Sequence, residues 1–226
     1  MSLADIRRGC AVVHRHHGVL AAARHLLHHA INRYARLERL DITRLDRAAV
    51  QAIPAEALRR ASTRLADEAE LRRLQADPAW DLGEGQLALA RQGDRCLLSL
   101  LDGRPVGYLW VHAVGHPELL PGLRLQLPPD HLYTYAGLTL PEGRGLGLQT
   151  LRHAAVLAQP EWADRAGLIG YVRSTNFASR RGQARSGFRR IGSIWLIGRP
   201  GRPAWAWLTP GLRRHGISRQ TGAVAA

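Results

Sequence analysis

The chain has 226 residues, of which 32 are basic and 18 acidic, for a formal net charge of +14 at pH 7. Every basic residue is an arginine, and the absence of lysine excludes a P-loop phosphate site, a Schiff-base cofactor site and a protein-kinase nucleotide site, each of which needs one specific lysine. Cys10 and Cys96 stand far apart with no C-x-x-C spacing, which removes the ligands of a zinc ribbon, the dithiol of a redox motif and the bridges of a disulfide scaffold.

As buried thiols, the two cysteines point to a reducing compartment. No apolar run approaches the ~18 residues of a membrane span, and Met1 to Gly18 is polar and rich in His and Arg, unlike a signal peptide. The expected setting is the cytoplasm. The length suits one domain with an extension, and 46% hydrophobic residues supply a core. A pI near 11.4 fits an acidic partner: nucleic acid, an anionic membrane surface, an acidic carrier protein or a phosphate-bearing cofactor. Arginine-rich codon usage in a GC-rich genome accounts for the excess about as well.

From Val12 to Arg36 the spacing predicts a basic amphipathic helix with Val13, Leu20, Leu27, Ile31 and Tyr34 as its apolar stripe. A short strand is expected within Leu37 to Leu45, then a helix from Ala55 to Gln75 and a loop from Trp80 to Gly85. From Gln86 the pattern turns to strands. Cys96–Leu101 and Arg104–Val114 flank Asp102-Gly103 as a hairpin, and a Pro/Gly-rich loop from Gly115 to Asp130 leads to a strand over His131–Leu140. A helix follows around Leu148 to Ala158, then a strand over Leu168–Val172 and a helix over Asn176–Ser186 stopped by Gly187. Strands over Ile191–Ile197 and Ala204–Leu208 precede a polar tail from Gly211. Alternating strands and helices predict an α/β or α+β sheet.

The informative segment is Pro141-Glu142-Gly143-Arg144-Gly145-Leu146-Gly147-Leu148-Gln149-Thr150, between a strand and a helix. Its glycines let the backbone turn sharply and approach a ligand, and the free N–H groups of the helix start suit an anion such as a pyrophosphate. Arg144 adds a charge-assisted contact. The dinucleotide motif G-x-G-x-x-G is not matched.

On these residues the chain resembles the GNAT superfamily of acyl-CoA-dependent N-acyltransferases, whose signature is a strand, a Pro-Glu-type turn and R-G-x-G-x-G/A opening a helix. Gln149 stands where the family has a small residue. A second match is Tyr171 to Arg180 with Asn176, followed by Ser186-Gly187-Phe188, and a softer third is the turn Asp102 to Tyr108. The resemblance spans about Leu37 to Leu208. It implies an α+β fold with a GNAT-like mixed, mostly antiparallel central sheet flanked by helices. The expected division is a basic helical extension over 1–36, an acyltransferase domain over 37–210 and a polar tail over 211–226.

The resemblance further implies acyl transfer from acetyl-CoA or another acyl-CoA to an amine of a small molecule, peptide or protein, by direct attack in a ternary complex. Leu138 and Leu140 would hold the pantetheine arm through their main chains. Arg144, Gly145, Leu146, Gly147, Leu148, Gln149 and Thr150 would hold the pyrophosphate, and Asn176 would lie near the pantetheine. Alternation puts Tyr133, Tyr135 and Gly137 on one face of the fourth strand, with His131 at its start, so Tyr135 and Tyr133 are candidates for proton transfer, and equally for aromatics that fill the core with their hydroxyls satisfied. The family's usual acid, a tyrosine, is replaced by Gln183, and Ser179 or Tyr171 are substitutes.

His25 and His29 have metal-ligand spacing, but a solvated helix face accounts for them better, and no metal is expected. Arg180, Arg181, Arg185, Arg189 and Arg190 are candidates for the 3′-phosphate of CoA, and a solvated helix face accounts for them about as well. The N-terminal helix would cover the sheet or dock an acidic carrier protein or peptide. Two alternatives stand beside this reading. One is a long-chain acyltransferase fed by acyl-CoA or acyl carrier protein, with an apolar tunnel that Leu97, Leu98, Trp110, Leu119, Leu120 and Leu123 could line or could equally fill as core. The other is a non-catalytic GNAT-like basic binding module; arginines spread along the chain without interleaved aromatics argue against nucleic acid.

Overall fold

The computed structural model describes residues 11, 13–14, 18–113, 117–120, 123–199 and 205–220. Helix α1 (Val19–Tyr34) leads into β1 (Arg36–Asp46), then α2 (Ala55–Arg60), β2 (Ala61–Leu65), α3 (Glu68–Gln75) and α4 (Glu84–Arg91). Next come β3 (Arg95–Leu101), β4 (Arg104–His112), β5 (Glu118–Leu120), β6 (Leu123–Gln126), β7 (His131–Thr139), α5 (Leu148–Ala158) and β8 (Gly167–Arg173). The described chain ends with α6 (Phe177–Ser186), β9 (Arg189–Gly198), β10 (Trp205–Leu208), α7 (Gly211–Arg214) and β11 (Ser218–Arg219).

Eight strands form one sheet in the order β10-β9-β1-β8-β7-β4-β3-β2, and β11-β6-β5 form a small second sheet. Within the large sheet β7 and β8 are parallel and the other pairs antiparallel, so it is mixed and mostly antiparallel, with helices on both faces. Leu45, Leu97, Leu109, Val111, Leu132 and Leu168 cover one face beneath Val156 and Leu157 of α5. On the other face, Leu98, Tyr108 and Trp110 pack under Leu71, Trp80 and Leu87 from the α3–α4 region. Beside them, Leu40, Ile42, Tyr133 and Ile169 pack under Leu119, Leu125, Leu212 and Ile217. The two faces are called the α5 face and the α3 face below.

Strand β1 does not sit at an edge. It lies between β8 and β9 and pairs with both, which its residues permit because Leu40 and Ile42 face one layer while Asp41, Thr43 and Leu45 face the other, all buried. The turn between β3 and β4 is the expected two-residue hairpin, with Asp102 at φ +49° and Gly103 at φ +81°.

Four segments differ from the sequence expectation. Residues 55–75 are two helices around the edge strand β2, because pairing with β3 outweighs local helix preference over Ala61–Leu65. Residues 84–91 are helical, started by the Gly83 N–H donating to Gln86 Oε1 at 2.8 Å without a Ser, Thr, Asp or Asn cap. The loop after β4 contains β5 and β6, whose Leu119, Leu123 and Leu125 are buried. Residues 211–220 are not a free polar tail, since Leu212 and Ile217 are fully buried and β11 pairs with β6. In α1, Leu20 and Leu27 of the expected stripe are exposed and Ala21 is buried instead.

Candidate active site

Strands β7 and β8 pair only over His131–Thr134 and Gly167–Gly170. Beyond that point both continue, to Thr139 and Arg173, without a shared ladder. The parting coincides with a bulge in β7: Tyr135 opposes Trp110 of β4 while Leu138 opposes Tyr108, so β7 carries one extra residue. Ala136, inside the bulge, has φ +44°, a left-handed conformation rare outside glycine.

The bulge decides which main-chain groups face the gap. The Leu140 N–H donates to Val106 O at 2.9 Å, and the Leu138 carbonyl accepts from Arg152 Nη1 at 2.9 Å. Both expected pantetheine contacts are thus engaged on the β4 side. Strand alternation turns the peptide groups of Gly137 and Thr139 the other way, and the Thr139 carbonyl accepts from Arg144 Nε at 3.2 Å.

Arg152 is a side chain that the sequence reading missed. Besides Leu138 it donates to Thr139 Oγ1 at 2.7 Å and to Ser99 Oγ at 3.3 Å, so it ties β3 to β7 beneath α5. Burial lowers its pKa to about 10. Gly107 makes room for it, because a Cβ there would lie 2.6 Å from Nη1. Arg152 shares a helix face with the buried Leu148 and Val156, a spacing that was visible in the sequence.

The glycine-rich loop runs from a 3₁₀ turn at Pro141–Gly143 into α5. Gly145 (φ +82°) is open around its Cα, whereas Gly147 (φ +76°) abuts Pro54. Leu146 packs against the cluster of Val106, Leu148 and Leu151. Arg144 is exposed. The N–H groups of Leu148, Gln149 and Thr150 begin the helix, without intrahelical acceptors. The Thr150 hydroxyl is buried and shares a 3.1 Å hydrogen bond with Ser186 Oγ. Gln149 lies against α6 at Gly182, where any Cβ would overlap its amide.

Asn176 caps α6, its Oδ1 accepting from the Ser179 N–H at 3.0 Å. The helix ends at Gly187 (φ +99°), after which Phe188 packs edge-on against His153 at 4.7 Å. Gln183 places its Oε1 in a buried position with no hydrogen-bond partner. It lines a cavity of about 600 Å³ that also touches Asp41, Thr43, Val172 and Arg190. The buried Asp41 pairs there with Arg39 at 3.1 Å, Arg180 at 3.6 Å and Arg190 at 3.6 Å, and accepts from Ser193 Oγ at 2.9 Å. Two arginines considered for a nucleotide phosphate, Arg180 and Arg190, thus face a carboxylate, and Arg189 pairs with Asp46 at 2.8 Å.

The tyrosine candidates lie on the α3 face. Tyr133 is buried and its ring stacks on Tyr135 at 5.5 Å. Tyr135 donates its hydroxyl to Asp94, and the other Asp94 oxygen is 2.7 Å from His112 Nδ1. Burial, and then the hydrogen bond to Asp94, hold the Tyr135 phenol far above its ordinary pKa; burial does the same for Tyr133 and, to a smaller extent, Tyr171. Ser179 belongs to α6 over the opposite face, so the structure does not bring the three catalytic candidates together. His131 pairs through Nδ1 with Asp130 at 2.7 Å at the start of β7.

The six residues considered for an acyl tunnel are part of packed core: Leu97 on the α5 face, and Leu98, Trp110, Leu119 and Leu123 on the α3 face, with Leu120 at its margin. Among the described residues no group of three or more His, Cys, Asp and Glu could hold a metal ion, and no helix is long and apolar enough to cross a membrane. Cys10 lies outside the described residues, as do the side chains of Arg24 and His29; Cys96 is buried and free.

No protein-family model matches the chain, and no curated protein matches it. Solved structures do. A conserved protein of unknown function from Staphylococcus epidermidis ATCC 12228 superposes with a TM-score of 0.50 at 13% identity, over 76% of this chain and 65% of that one. A GCN5-related N-acetyltransferase from Kribbella flavida gives 0.49 at 16% identity, over 80% and 64%. A GNAT-family acetyltransferase from Colwellia psychrerythraea gives 0.49 at 12% identity, over 73% and 57%. The chain thus spans less than two thirds of each of these proteins, and the likeness concerns fold alone. In its mixed sheet, and in the parallel pair that parts beside a glycine-rich helix start, this chain has the mixed, mostly antiparallel α+β fold that the resemblance implied.

Proposed function

We propose that the protein is an acyl-CoA-dependent N-acyltransferase that moves a short acyl group from a CoA thioester to an amine by direct attack in a ternary complex. The observation that carries this reading is the gap between β7 and β8 beside the open N-terminus of α5. Pantetheine is a chain of amides, and the Gly137 peptide group and the Thr139 N–H offer it the edge of a strand, beside the Thr139 carbonyl that Arg144 holds. The pyrophosphate belongs at Gly145–Thr150, where helix N–H groups and the exposed Arg144 favour negative charge.

The gap then receives the thioester. An alkyl amine with a pKa near ~10 must lose a proton before or during attack, and the CoA thiolate leaves with a pKa near ~8.5. Gln183 offers the leaving sulfur an amide donor but no proton, so the rate rests on positioning and on removal of the amine proton. The filled core at Leu97, Leu98 and Trp110 favours a short acyl group.

Calorimetric titration with acetyl-CoA, a long-chain acyl-CoA and free CoA tests the site. Acetyl-CoA is expected to bind, with affinity reduced roughly 10-fold by Arg144→Ala, since a charge-assisted hydrogen bond contributes about 1.5 kcal/mol or more. Gly145→Asp is expected to weaken binding further, by placing a carboxylate at the phosphate position; the space there is open and Asp tolerates positive φ better than most residues. Failure of the wild type to bind any CoA species overturns the reading. Docking of an acidic carrier or peptide through α1 is a separate element of the proposal. Removing residues 1–35, which leaves β1 whole, rejects it if turnover is unchanged.

A further inference from the structure

We propose that His112, held by Asp94, is the proton acceptor for the attacking amine, and that Asp94 and Tyr135 are its positioning residues. The inference rests on the acyltransferase reading and adds the base which that reading needs.

On the α3 face Asp94, His112 and Tyr135 form a polar cluster beside the packed side chains of Trp110, Tyr108 and Leu98. Asp94, 7% exposed, receives the Tyr135 hydroxyl on one oxygen and lies 2.7 Å from His112 Nδ1 with the other. A carboxylate has no proton to give, so the His112 Nδ1–H must be the donor. The imidazole is then fixed in one tautomer and its Nε2 presents a lone pair. Among the described residues that Nε2 has no hydrogen-bond partner although it is buried, and a buried polar atom without a protein partner is where a ligand or water is expected.

Position supports the assignment. Tyr135 is the last residue before the bulge at which β7 leaves β8, and His112 is paired across to Tyr133, two residues earlier on the same face. The His112 side chain is 23% exposed, which gives the proton a route to solvent. The titratable groups shown to interact with Asp94, besides His112, are Tyr133 and Tyr135 of β7. Burial raises both, so they stay protonated near neutral pH. The His112 Nε2 lone pair is the proton-accepting atom that this cluster presents.

In the step, the alkyl ammonium gives one proton to His112 Nε2, directly or across one water, and the freed amine nitrogen bonds to the thioester carbonyl carbon. As the C–S bond breaks, the second nitrogen proton passes to the leaving sulfur, which leaves an amide, the CoA thiol and an imidazolium balanced by Asp94. The imidazolium releases its proton to solvent.

The test follows acetyl transfer from acetyl-CoA to a panel of alkyl amines and arylamines, as thiol release against pH, for the wild type, His112→Gln and Asp94→Asn. Calorimetry of acetyl-CoA binding is measured alongside. The expected result for His112→Gln is a kcat for alkyl amines lower by about 100-fold or more, loss of the acidic limb of the pH profile, and unchanged acetyl-CoA affinity. Arylamines, whose nitrogen is unprotonated at neutral pH, should lose far less. Asp94→Asn should move the acidic limb to lower pH, because the imidazolium loses its counter-charge. His112→Asn serves if the glutamine variant does not fold. Acetyl-CoA binding with an unchanged limb in a folded His112 variant overturns the role of His112 alone. A wild type that binds acetyl-CoA yet acetylates no amine overturns the acyltransferase reading and the base together. Absence of acetyl-CoA binding overturns the acyltransferase reading itself, and the base with it.

Discussion

Arg152 and His153 are adjacent, both buried in α5, and neither has a carboxylate partner among the hydrogen bonds and ion pairs that hold them. Arg152 bonds two strands. His153 packs on Phe188, and burial, helped by the neighbouring Arg152 charge, lowers its pKa to about 3. The fold therefore keeps His153 neutral where the unfolded chain protonates it near 6.5. Above that pH the residue has no effect on the pH dependence. As pH falls from 6.5 toward 3 the unfolded state binds the extra proton, and stability drops by about 1.4 kcal/mol per pH unit. At pH 5 the loss is about 2 kcal/mol. Chemical denaturation at pH 7 and pH 5 should show that His153→Leu removes this difference. The composition did not flag either residue, because in a chain with 32 arginines and 11 histidines only the helical spacing separates a buried one from a surface one.

At the level of elements, strand periodicity was readable and its interruptions were not. The hairpin turn at Asp102-Gly103 was evident, yet counting back from it pairs Asp94 with Val111. The irregularity between Ser99 and Leu100 shifts the register by one, so that Arg95 faces Val111 and Asp94 reaches His112. The bulge in β7 has the same consequence for Leu138 and Leu140. Such irregularities arise from packing across strands and leave no mark in the local alternation. Ala136 makes the bulge testable. Its positive φ stores about 1 kcal/mol or more of strain, so Ala136→Gly should leave stability equal or higher, within about 1 kcal/mol. Ala136→Val should lose about 2 kcal/mol, because a β-branched side chain tolerates that conformation worst. Urea unfolding of both variants measures the difference. An opposite order would mean that the bulge is not held in solution.

For the whole molecule, the decisive feature is β1. Its Leu40, Ile42 and Leu45 are buried in two layers, and each contributes about 1.5–3 kcal/mol. Their combined loss approaches the 5–15 kcal/mol by which a domain is usually stable. Removing residues 1–46 should therefore abolish cooperative unfolding in calorimetry, whereas removing 1–35 should preserve it. Because β1 must meet strands more than 120 residues later, as Leu45 meets Leu168, its docking closes a long loop and is expected late in folding.

The sequence by itself determined the class of fold, the hairpin, the glycine-rich helix start and the stop of α6 at Gly187. Each of these is a local agreement between residue type and backbone conformation. It also ruled out the lysine-dependent chemistries. Tertiary structure decided the rest: the central place of β1, the strand at Ala61–Leu65, the burial of Leu212 and Ile217, and the meeting of Asp94, His112 and Tyr135. Those depend on which distant strand supplies a partner and on a register set by bulges, and a pairing energy between residues far apart in the chain is not written in the neighbours of either one.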